Sequence, residues 1–101
     1  MLIFSAYLYD YTQRGGEYMT ADLWRERAQI RMAILKELYD YNFENGGKAK
    51  NISSETSDNE KRAALIYLAD KNFVELIRFE HRTFPEARIT AYGIDEVDSQ
   101  M

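Results

Sequence analysis

The one histidine of the chain, His81, sits between Glu80 and Arg82, with Glu86 five residues further on. A histidine among carboxylates is raw material for general acid–base catalysis, but that work needs rigid placement and shifted pKa values. The surrounding stretch, EHRTFPE, reads as a charged loop around the only proline, Pro85, so it is a poor place for such a site. A metal site needs several ligands at set spacing, and the chain has no cysteine and no second histidine. Ser53, Ser54 and Ser57 have no base near them in the sequence. The pairs Gly15-Gly16 and Gly46-Gly47 lack the lysine and the strand-to-helix setting of a phosphate loop. Arg14-Gly15-Gly16 reads as a turn, not as an RNA-binding repeat. The residue types therefore point away from an enzyme and call for no metal and no cofactor.

What remains is the chemistry of binding. The formal charge is −4, from 13 basic and 17 acidic residues. Its distribution matters more than its sum. Residues 46–94 hold eight of the basic groups against seven acidic ones, whereas both ends of the chain are net acidic. The middle is thus the one part that an anionic partner tolerates, and it is not strongly basic.

These side chains must be held by something. A chain of 101 residues makes one domain, and a 46% apolar and 30% charged composition argues for a folded core over disorder. The longest uncharged run, residues 1–9, is too short to span a membrane, which takes roughly 20 apolar residues. It lacks the basic start of a signal peptide. With cysteine absent, the expected compartment is the cytoplasm.

From Leu23 onward, Ile30, Ile34, Leu38 and Tyr41 recur at helical spacing, which predicts a helix over about 21–44, either continuous or interrupted near Arg27. Asn45-Gly46-Gly47 supplies its stop. A polar stretch follows in which Ile52 is the only large apolar residue, and Ser53 or Ser54 starts a short helix there. Asp58 or Asn59 caps a second clear helix with Ala64, Leu65, Leu68 and Ala69 facing inward, ended at Asn72. The period then changes: residues 73–79 and 86–91 read as the two strands of a hairpin. Tyr92-Gly93 reads as a turn before a last short helix. Two helices joined by a polar turn and followed by a hairpin are the parts of a winged helix-turn-helix. The expected fold is therefore mainly α with a β-hairpin: a winged-helix domain over residues 21–101, preceded by an extra N-terminal segment, residues 1–20.

Three stretches also carry a family resemblance. The run from Arg31 to Leu38 resembles the opening helix of small bacterial winged-helix proteins. Leu65, Leu68, Lys71, Asn72, Phe73 and Val74 resemble their junction of helix stop and first wing strand, with Asn72 where glycine is usual. Ile89-Thr90 followed by Gly93-Ile94 resembles the exit after the wing. Over about residues 30–97 the chain resembles the YjcQ-like proteins of bacilli and their phages, and more broadly winged-helix transcription regulators. The matching residues are core leucines and turn glycines, so they speak to fold more than to activity.

A winged helix of this kind implies duplex DNA as partner, with the third helix in the major groove and the wing on the backbone. Carried onto this chain, the groove-facing residues are Ser57, Asn59, Lys61, Arg62 and Ile66. The wing residues are Arg78, His81, Arg82 and Arg88, with Lys48 and Lys50 reaching phosphate from before the short helix. Glu60, Asp70, Glu80 and Glu86 lie among them and oppose an anion. The alternative is a protein-interaction adaptor, favoured by the apolar Ile66 on the same face and by the aromatic residues Phe4, Tyr7, Tyr9 and Tyr11. A homodimer built with Phe4, Leu8 and Trp24 fits either reading.

Overall fold

The computed structural model describes residues 20–80 and 84–101. It is mainly helical, with one small three-stranded antiparallel sheet. In chain order the elements are α1 (Thr20–Glu44), β1 (Lys50–Asn51), α2 (Ser53–Thr56), α3 (Asn59–Asp70), β2 (Val74–Ile77), β3 (Glu86–Ile89) and α4 (Ala91–Ser99). The sheet order is β1-β3-β2.

Of the two alternatives the continuous helix is observed: α1 runs through Arg27, and no glycine or proline interrupts it. Its apolar stripe buries Ile34, Leu35 and Leu38. Gly46 and Gly47, at φ 65° and 87°, turn the chain off the helix, and the Gly47 amide donates to the Asn42 carbonyl at 2.8 Å. The helix α3 starts where Asp58 accepts from the amides of Glu60 and Lys61. It stops at Asn72, φ 65°, where the Asn72 amide bonds the Ala69 carbonyl and the Phe73 amide bonds the Leu68 carbonyl. That pair of bonds is a Schellman stop made with asparagine in place of glycine.

Leu65 and Leu68 are buried in one cluster with Ile34 and Leu38, and with Ile52, Val74, Phe79, Ala87, Ile89 and Val97. Each element from α1 to α4 except the single turn α2 and the short β1 contributes to it; Ile52, between those two, supplies their anchor.

Three expectations need correction. The sheet is more than a hairpin, since β1 pairs with β3 through Lys50 opposite Ala87 and Asn51 opposite Glu86. A two-residue strand carries no alternation to read, so nothing in the pattern announced it. The hairpin strands are also shorter than 73–79 and 86–91. Their register runs from Val74 opposite Ile89 to Ile77 opposite Glu86 and ends where Arg78 adopts φ 54°.

Last, Tyr92-Gly93 is no turn. Both residues lie inside α4, which Thr90 caps by accepting from the Gly93 amide. Gly93 is there for clearance, because a Cβ would run into the Phe73 carbonyl oxygen and the Ile89 side chain. Near the other end of α4, the Tyr39 hydroxyl donates to Asp98 Oδ1 at 2.8 Å, and that bond raises the phenol pKa. No described helix is long and apolar enough to cross a membrane.

Candidate functional site

The cap at Asp58 fixes which side chains α3 turns outward. With Ala64, Leu65 and Leu68 buried, helical spacing sets Asn59, Ala63, Ile66 and Asp70 on the opposite ridge. Ile66 is 41% exposed on that ridge. Arg62 lies along its hairpin-facing flank, with its guanidinium carbon 4.4 Å from the centroid of the Phe79 ring. Lys61 is exposed but stands four residues before Leu65 and seven before Leu68, so it falls off the ridge. Ser57 sits in the α2–α3 turn, its hydroxyl donating to the Ser54 carbonyl at 2.8 Å.

Ser53, Thr56, Ser57, Asn59 and Arg62 line a shallow polar recess of about 420 Å³. A second recess, about 360 Å³, opens beyond the ring, between Leu76, Arg78, Phe79 and Glu80. The Arg62–Phe79 stack stands between the two.

The other basic candidates are less available. Lys50 reaches Glu37 at 3.4 Å and Glu55 at 3.6 Å. Arg78 pairs with Glu86. Arg88 pairs across the strands with Glu75 at 2.7 Å, as the register dictates. Each of these cations arrives with its own carboxylate. Lys48, Lys61 and Arg62 have no ion pair among the described residues. His81 and Arg82 lie outside them, as do Phe4 and Leu8. Trp24, on α1, is 63% exposed.

Comparison of the chain with known protein families, with curated proteins and with solved structures finds no match. The site must then be read from its own geometry.

One residue outside the candidates for binding changes that reading. Arg27 of α1 holds Glu60, in the first turn of α3, by two hydrogen bonds of 2.9 Å. The bond to Arg27 lowers the Glu60 pKa and raises that of Arg27 in turn. Glu60 is thereby turned toward α1 and partly neutralised, so it repels an anion at the α3 ridge less than a free carboxylate would. The two residues are 33 positions apart, a spacing no local pattern could connect. Arg31, four residues on from Arg27, stacks on Tyr67 at 4.3 Å and ties the same two helices together. Among the described residues no group of three or more His, Cys, Asp or Glu is placed to hold a metal ion.

Proposed function

We propose that this chain is a winged-helix protein that binds duplex DNA in the cytoplasm, a transcription-regulator-like factor of bacterial or phage type, with a binding role and no catalytic one. The element order supports the winged reading: helix, strand, helix, helix, then two strands, with the first strand added to the edge of the hairpin. In this reading α3 enters the major groove by its ridge, β2 and β3 form the wing, and the wing lies on the sugar–phosphate backbone, the role expected of Arg82 from the sequence.

The observation that carries the proposal is Arg62. It stands half-buried on the hairpin-facing flank of α3, beside a polar recess, with a ring and, among the described residues, no carboxylate for a partner. Arginine in such a position is the side chain that most often reads guanine bidentately.

The same geometry sets the affinity. With Lys50, Arg78 and Arg88 each held by a carboxylate among the described residues, the face made by α3 and the hairpin has fewer cations to neutralise phosphate, so one protomer binds weakly and with a shallow salt dependence. Two copies double the contacts, and a homodimer through Trp24 and the N-terminal segment, with Phe4 and Leu8, completes the proposal. A polarisation titration of a labelled duplex at two salt concentrations tests it.

A second reading has its own observation. Ile66 in the middle of the ridge and Trp24 on α1 are exposed apolar side chains, which a protein-interaction adaptor would cover with a partner. The same titration separates the two, since an adaptor shows no duplex affinity at any salt.

A further inference from the structure

In a regular strand, side chains alternate between faces. Val74 is buried, Glu75 is exposed and Leu76 is half-buried, so continued alternation would turn residue 78 inward and residue 79 outward. The reverse is observed. Arg78 is exposed and Phe79 is 7% exposed, and the change occurs at the left-handed backbone of Arg78, φ 54°. A bulky residue with positive φ is strained, and such strain is held where the surrounding structure requires it. Here its result is to drive a phenyl ring into the core cluster directly beneath Arg62 of α3.

We infer that Phe79 is a positioning residue for Arg62, fixing its guanidinium so that α3 and the hairpin meet a duplex as a single rigid reader. This rests on the DNA-binding reading proposed above. The physical reason is entropic. A long arginine side chain loses rotamer freedom when it binds, and one already held in place loses less. A ring does this better than a carboxylate. It stabilises the cation through its face while leaving the N–H donors, which lie in the guanidinium plane, free at the edge. Arg27, Arg78 and Arg88 show the other arrangement, with donors spent on Glu60, Glu86 and Glu75. Arg31, stacked on Tyr67, shares the ring-held arrangement but lies on α1. On α3 and the hairpin, Arg62 alone among the described residues combines a fixed position with donors committed to no carboxylate, and it lines a polar recess.

The test selects preferred sequences from a randomised duplex pool with the full chain. It compares wild type, Arg62→Ala, Phe79→Leu, Phe79→Tyr and the double variant Arg62→Ala/Phe79→Leu. Phe79→Leu should lose discrimination at the same base positions as Arg62→Ala, by about 5- to 150-fold, the range one bidentate contact supplies. Phe79→Tyr, which keeps the ring face, should retain it, and the double variant should be no worse than Arg62→Ala alone. Preference that survives Phe79→Leu, or is lost at other positions, overturns the positioning role and leaves the DNA-binding reading intact. A wild-type protein that selects no sequence overturns both.

Because Phe79 is a core residue, the stack is also measured without substitution or DNA. The Arg62 side-chain protons in the wild-type NMR spectrum should be shifted upfield by the ring current of Phe79. Ordinary shifts there would overturn the inference whatever the variants do.

Discussion

Arg62 and Arg82 have different tasks in this account, and their substitutions should separate them. Arg62→Ala should flatten preference among target sequences, a loss of roughly 1–3 kcal/mol of discrimination. Arg82→Ala should weaken binding to all sequences alike and reduce the salt slope by about one unit. Competition titrations with specific and random duplexes read both. The Arg27–Glu60 pair makes a pH prediction. Its bond to Arg27 lowers the folded-state pKa of Glu60, so the contribution to stability is present above the ordinary glutamate value of about 4.3. It is lost as pH falls through the folded value. Both side chains are exposed, so the effect is small. Urea midpoints of wild type and Glu60→Gln should differ near neutrality and converge in acid. A difference that persists unchanged at pH 3, or is absent at pH 7, would contradict the pairing. The sequence showed Arg62 and Glu60 as candidates and opponents. It could not show that Glu60 is held away from the ridge, or that Lys50, Arg78 and Arg88 come already paired. Those facts depend on residues brought together by the fold and not by spacing.

The helices were the legible elements, because α1 and α3 carry long apolar stripes and local stop signals. Asn72 is the clearest case: an asparagine after an apolar run predicts a left-handed stop, and it takes φ 65°. Glycine adopts that conformation without a Cβ penalty, so Asn72→Gly should raise stability by about 0.5–1 kcal/mol in chemical denaturation. Lower stability would mean that the asparagine side chain contributes something the stop alone does not. Gly93 is the converse, a residue read as a turn that is a contact. Gly93→Ala should destabilise by roughly 3 kcal/mol or more, since a backbone carbonyl and not a flexible side chain blocks the new Cβ. A near-neutral result would disprove the close approach of α4 to Phe73. Two-residue β1 and the kink at Arg78 were illegible for one shared reason: each is imposed by a neighbouring strand or core, with no period of its own. Leu68, central to α3, belongs to the legible part, and Leu68→Ala should cost roughly 2–5 kcal/mol.

The molecule as a whole carries −4, and this decides how it can hold a polyanion. Among the described residues Lys50, Arg78 and Arg88 are already held by carboxylates, so the proposed binding mode calls for two copies, joined in that proposal at the exposed Trp24. Trp24 is the only tryptophan, so its emission should move to shorter wavelength as concentration rises and a dimer forms. Sedimentation as a monomer at high micromolar concentration would contradict the dimer without touching the fold. The DNA-binding reading itself stands on a titration of the wild-type chain against a duplex near 50 mM and near 200 mM salt, where phosphate contacts are weakly and then strongly screened. The account predicts measurable binding at the lower salt that weakens at the higher, with a slope of log K against log salt no steeper than about −3 per protomer, as three phosphate contacts would give. No affinity at the lower salt would contradict it and leave the exposed Ile66 on the α3 ridge as the surface to explain.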